Sequence, residues 1–183
     1  MKRLVLVVLG ALAVTIPAWA QAPADAAVEK ALLPAPENMK KDATVVAFKP
    51  DFTYDTIKKG TNTMVCLDRS GLPGQQPFSI ECTSLANLPR VAQNLKFEAE
   101  PDRTKRQAAL DAAEKDNSRI KPEYGSVWIR MQGKDKDTAR THMTVAVPGA
   151  TTQSTGLPDN PKQGGIWIMN AGTSTAHLMI PGH

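Results

Sequence analysis

Three histidines, His142, His177 and His183, are the side chains in this chain best suited to metal or acid–base chemistry. Read as strand residues, His142 shares a face with Thr144 and Ala146, and His177 shares one with Thr173 and Thr175. If those two strands pair, the rings could meet, with His183 or an acid as a third ligand. The spacing matches no metal motif, so the expectation is hydrogen-bonded or surface histidines, with no metal and no cofactor. Trp128 and Trp167 form a second set. They sit in matching contexts, Val127-Trp128-Ile129 and Ile166-Trp167-Ile168, and point away from the flanking Ile/Val face. They suit either an aromatic groove for a glycan or apolar ligand, or a second core beneath covering helices, which is the reading favoured here. His142, His177, Trp128 and Trp167 are therefore the candidate ligand-facing residues.

Other chemistries find little footing. A serine nucleophile needs a base and an orienting acid. No Gly-x-Ser-x-Gly elbow is present, and Ser174, three residues from His177, falls on the opposite face of a strand. Asp135 and Asp137 lie in Lys134-Asp135-Lys136-Asp137, too short and too basic for a calcium loop. Gly164-Gly165 precedes a strand and not a helix, so it is no phosphate cradle. No catalytic residue is assigned.

Where such residues would act follows from the start of the chain. Lys2 and Arg3, an apolar run from Leu4 to Val14, and Pro17 before Ala18-Trp19-Ala20 have the form of a secretory signal peptide over residues 1–20. The run of about 11 residues is short of the roughly 20 needed to span a bilayer. No Cys follows the cleavage site and no twin Arg precedes the run, so the expected route is general export to the bacterial periplasm or medium. Cleavage removes two of the 22 basic residues and none of the 18 acidic ones, leaving a net charge of +2. That balance, with 5% aromatic residues, argues against a nucleic-acid partner. No later segment is apolar enough to span a membrane. Cys66 and Cys82, an even pair in an oxidising compartment, read as a structural disulfide. It would close a loop of about 15 residues, worth roughly 3 kcal/mol in the chain-entropy account. The spacing fits neither a Cys-x-x-Cys redox pair nor a zinc site.

The elements that must position these residues fall into three parts. Residues 21–41 are rich in Ala and Pro, and form either a short helix over 25–33 or a loose tether. An ordered domain is expected over residues 42–183. It opens with a meander of strands over 45–48, 52–58 and 63–67, with turns at Lys49-Pro50-Asp51-Phe52 and Lys59-Gly60-Thr61-Asn62. A Gly/Pro-rich loop over 68–81 follows, tied down by the disulfide. Next comes a short helix within 83–95 interrupted by Pro89, then a clearer helix over 101–117 begun by Pro101. The basic start and acidic end of that second helix oppose its dipole, and a solvated helix covering a sheet is the expected arrangement. Strands are expected over 126–132, 141–148, 165–170 and 173–180. The polar stretch 149–163 is a long loop, which in a small domain points to function or disorder.

Three strings carry a resemblance: Lys59-Gly60-Thr61-Asn62-Thr63-Met64-Val65-Cys66, Val147-Pro148-Gly149-Ala150, and the run from Gly172-Thr173-Ser174-Thr175 to Ile180-Pro181-Gly182-His183. The chain resembles a family of small exported bacterial proteins of uncharacterised function. That resemblance implies an envelope location and one compact domain, and no catalytic residues. Together these readings predict an α+β fold: a mainly antiparallel sheet of about six or seven strands with two helices on one face. The expected function is a non-catalytic binding or interaction module for a small ligand or an envelope protein, with the loop 149–163 as the contact surface. The alternative is a small periplasmic enzyme using His142 and His177, metal-dependent or not.

Overall fold

Short runs rich in β-branched and apolar residues build eight strands, the central ones buried on both faces. A computed structural model describes residues 18–180. Residues 1–17, which hold most of the expected signal peptide, and His183 lie outside the described residues. The strands are β1 (Thr44–Phe48), β2 (Tyr54–Lys58), β3 (Met64–Asp68), β4 (Phe78–Ser84), β5 (Val127–Gly133), β6 (Arg140–Ala146), β7 (Trp167–Met169) and β8 (His177–Met179). They form one sheet in the order β2-β1-β3-β4-β5-β6-β8-β7. Every neighbouring pair is antiparallel except β1 with β3. The helices are α1 (Ala18–Ala31), α2 (Glu37–Lys40), α3 (Leu88–Glu98), α4 (Arg103–Lys115) and α5 (Thr152–Thr155). The fold is α+β as expected, with eight strands in place of six or seven.

The two faces of the sheet are packed by different helices. Leu88, Val91 and Leu95, spaced i, i+3, i+7 on α3, bury against Val46, Phe48, Val65 and Leu67. Full burial of a Leu or Val side chain contributes roughly 1.5–3 kcal/mol, so this contact fixes α3 over β1 and β3. On the reverse face, Ala35, Ala43, Cys66, Cys82 and Ile129 form a second cluster with Leu32 and Met39 against it. Ala31, at the end of α1, is buried. The segment after residue 25 is therefore neither a tether nor only a short helix; it covers the sheet. Helix α4 leans on α3, and Asp102 caps it by accepting from the backbone N–H groups of Thr104 and Lys105. Pro101 thus precedes the cap and does not begin the helix.

Two further boundaries move. Residues 78–81 belong to β4, although Gly/Pro-rich sequence precedes them and both faces of the strand are buried, which hides the alternation. The Cys66–Cys82 disulfide forms as expected, but it bridges directly opposite residues of β3 and β4, so it staples the sheet and ties down no loop. Pro89 stands in the first turn of α3. There its missing N–H costs nothing, so it starts the helix and does not interrupt it. At the sheet's entry Gly60 passes so close to the chain before β1 that a Cβ would lie 2.2 Å from the Asp42 carbonyl oxygen. The amides of Thr61 and Asn62 both donate to that same oxygen, at 2.8 and 3.0 Å.

Candidate functional site

The polar side of α3 makes the site. Arg90, Asn94 and Glu98 recur every four residues and so form one stripe, beside the apolar stripe that seals the core. That stripe faces the β5–β6–β8 half of the sheet across a cavity of about 410 Å³. Trp128, Arg130 and Gln132 of β5, His142, Thr144 and Ala146 of β6, and His177 of β8 line its floor, and Arg119 and Pro122 its rim. The strand register explains the floor. Arg130 pairs with His142, Trp128 with Thr144, and Ala146 with His177, which puts all six side chains on one face. A second hollow of about 390 Å³ continues past Gln75 and Phe97, sharing Asn94, Glu98, Arg119, Arg130 and Gln132 with the first.

At one end of the cavity lies a charge cluster. Glu81 of β4 is buried, and its Oε2 accepts from Arg69 Nη1 at 2.5 Å and from Arg130 Nε and Nη2 at 2.9 and 2.5 Å. Arg69 also pairs with Glu98, which in turn accepts from Gln75 at 2.8 Å. Burial alone would raise the Glu81 pKa, but the guanidiniums of Arg69 and Arg130 outweigh it and hold the carboxyl below its ordinary value. For Arg130, burial works against the charge, and Glu81 more than restores it. Two acids and two arginines balance here.

The other two arginines touch no acid directly, although Glu114 attracts both and Glu98 attracts Arg119 from a distance. Arg90 is 4% exposed; its Nη1 donates to the Ile120 carbonyl and to Ser174 Oγ at 3.2 Å. Arg119 is 7% exposed; its Nη1 and Nη2 donate to Gln93 Oε1 at 2.7 Å and Asn94 Oδ1 at 2.6 Å. Its guanidinium also stacks over the Phe97 ring at 4.9 Å. Among the described residues neither arginine forms an ion pair, and the Nε of Arg119 is buried with no partner. Burial, followed by the like charge of Arg119, pushes the Arg90 guanidinium down to about 10. Burial likewise lowers Arg119. Both stay cationic at neutral pH.

Hydrogen bonds from Gln93, Asn87 and Glu114 hold these groups in place. Gln93 of α3 donates to the Ser118 carbonyl at 2.9 Å and accepts from the Ile120 amide at 3.0 Å, fixing the segment that carries Arg119. Asn87, fully buried, donates to Thr83 Oγ1 and Ser126 Oγ and accepts from the Glu123 amide. It thereby anchors the same segment to β4 before β5 begins. Glu114 of α4 reaches over to Ser174, accepting from its backbone amide at 3.1 Å and from its hydroxyl.

Of the residues singled out in the sequence, His142, His177 and Trp128 line this one cavity. Trp128 also packs against the apolar cluster under α3. Trp167 sits on β7 opposite Met179 and does not line the cavity. The two histidines do not converge. Their register sets His142 four residues along β6 from the position opposite His177, roughly 13 Å at about 3.3 Å per residue, too far for two rings standing off a sheet to share metal bonds of about 2 Å. Among the described residues no group of three or more His, Cys, Asp or Glu is placed to hold a metal. The loop 149–163 is ordered by α5, by a reciprocal capping box between Thr151 and Ser154, and by a 3₁₀ turn at Pro161–Gln163. It contributes no residue to either hollow. Arg69, Glu81, Arg90, Arg119 and Arg130 carry no motif; the four-residue spacing of Arg90, Asn94 and Glu98 after Pro89 is the one sequence signal that points to them.

Compared with known proteins, the chain matches no family model, no curated protein and no solved structure. Among the described residues no helix is long and apolar enough to cross a membrane. The internal disulfide suits a protein folded outside the reducing cytosol.

Proposed function

We propose that this is an exported binding module of the bacterial envelope, periplasmic or secreted, whose small polar ligand occupies the cavity between α3 and the β5–β6–β8 half of the sheet. The observation that carries the reading is the cavity itself: about 410 Å³, walled by charged side chains that separate elements hold in fixed positions. Ligand sites of that volume are usually preformed and carry a few placed polar groups. His142, His177 and Trp128 serve as wall residues in this reading, and no reaction is assigned to them. The resemblance to small exported bacterial proteins and the form of residues 1–20 support the envelope location.

The test uses the indole N–H of Trp128. A ¹⁵N-labelled Trp167→Phe protein, purified in its exported form, is titrated with the dialysable fraction of the producing cell's envelope extract. A saturable shift of the Trp128 indole resonance, abolished when Ala146→Phe fills the cavity, is the expected result. An indole resonance that does not move at any extract concentration overturns the reading.

A further inference from the structure

We propose that the ligand carries an oxyanion, such as a carboxylate, phosphate or sulfate group, seated against Arg90 and Arg119. The inference rests on the reading of the cavity as a ligand site and names the chemistry that fills it.

The argument is one of charge accounting. An isolated buried charge is costly, and proteins keep it paired unless a ligand supplies the partner. Four arginines lie in or beside this cavity, and the acids near them are already engaged. Glu81 and Glu98 bind Arg69, Arg130 and Gln75. Glu114 is turned to the amide and hydroxyl of Ser174. Glu114 attracts both Arg90 and Arg119, and Glu98 attracts Arg119, but neither acid forms an ion pair with them; the two arginines hydrogen-bond directly to neutral oxygens only. Those oxygens satisfy hydrogen-bonding geometry without cancelling two positive charges that repel each other, the repulsion that helps depress Arg90.

A second, independent observation points the same way. Arg119 borders both hollows, and its Nε, like that of Arg69, is buried with no acceptor among the described residues. An oxyanion in the cavity would therefore meet the guanidinium of a residue that borders both hollows and has no contact ion pair of its own. An oxyanion supplies several acceptor lone pairs at once, and guanidinium forks match its geometry. Bound between the two arginines, it converts their repulsion into two attractions. His142 and His177 on the cavity floor offer further ring nitrogens to a polar ligand, while Arg130 there is already paired with Glu81.

The experiment follows the side-chain Nε–H resonances of arginine in the ¹⁵N-labelled exported protein. Sodium phosphate, sodium sulfate and sodium acetate are titrated separately at constant ionic strength against chloride. The expected result is a saturable shift of the Arg119 Nε–H with at least one of the three, and the anion that binds tightest separates a phosphate or sulfate ligand from a carboxylate one. Arg119→Lys should weaken that binding roughly tenfold or more, because charged hydrogen bonds are lost with the fork. If none of the three anions moves the resonance, the inference is overturned, and the wild-type titration alone decides this even where a variant fails to fold. Equal affinity in wild type and a folded Arg119→Lys protein overturns it too. If the envelope extract shifts Trp128 while no oxyanion shifts Arg119, this inference fails and the binding reading stands; if neither responds, both fall.

Discussion

Replacing Glu81 by Gln should destabilise the protein more than any surface charge change. The carboxylate sits 1% exposed between Arg69, itself 1% exposed, and Arg130, whose side chain is 31% exposed. Glu81→Gln keeps the shape but leaves two guanidiniums facing one remaining acid, Glu98. Removing one partner of a buried pair costs about 3–5 kcal/mol. Glu98 still holds Arg69 and water reaches Arg130, so the low end, about 3 kcal/mol, is expected. With a urea m-value of about 2 kcal/mol per M, the unfolding midpoint should fall by about 1.5 M. The thermal midpoint should fall by about 6–12 °C. The same measurement has a pH signature. Because Glu81 titrates below its ordinary value of 4.5 when folded, its contribution is fully present above that pH. It is lost as pH falls through the lower, folded value. The gap between wild type and Glu81→Gln should therefore be constant at neutral pH and close in acid. Asp55→Asn, which breaks the exposed Lys49–Asp55 pair, is the control and should leave the midpoint unchanged. A Glu81→Gln loss under about 1 kcal/mol, or a gap that does not close in acid, would refute the account of this cluster.

The remaining predictions concern the sheet. The double variant Cys66→Ala, Cys82→Ala removes a crosslink spanning 16 residues in sequence and should lose about 3 kcal/mol in urea unfolding; a loss below about 1 kcal/mol would mean that the staple constrains little of the unfolded chain. Gly60→Ala places a Cβ against the backbone of Asp42 and Ala43, which has no flexible end to move aside. It should cost about 2 kcal/mol, read as a lower thermal midpoint, and an unchanged midpoint would show that the crossing can relax.

Much of the sheet could be read from the chain because its strands are short apolar or alternating runs bounded by turn residues. Val45 to Phe48 reads as a short apolar run buried on both faces, and Val127 to Gln132 alternates towards its end. Strand β4 could not be read that way. Ser79, Glu81 and Thr83 are polar yet buried, so its pattern looks like solvent-facing loop when it is an ion pair and hydroxyls turned inward. At the other edge, β7 and β8 pair over only three residues each, since turns claim the flanking Gly165, Asn170 and Thr173. The site was half legible. His142, His177 and Trp128 stood out by type. The arginines did not, because what distinguishes them is the absence of an acid beside them in space, and a linear sequence does not display that absence. Arg90, Arg119 and Arg130 come from a helix, a connecting segment and a strand, up to 40 residues apart.

Helix α3 keeps its two duties on separate stripes. Leu88, Val91 and Leu95 answer to the core; Arg90, Asn94 and Glu98 answer to the cavity. Descendants of this chain can therefore rewrite Asn94, whose amide oxygen holds Arg119 at the cavity, without replacing any residue of the apolar seam. Glu98 is bound more tightly to the fold, since it holds the buried Arg69 in an ion pair. Selection on what the protein binds and selection on whether it folds thus act on interleaved but largely distinct letters of one eleven-residue word, and a change of ligand is open to this lineage without a change of scaffold.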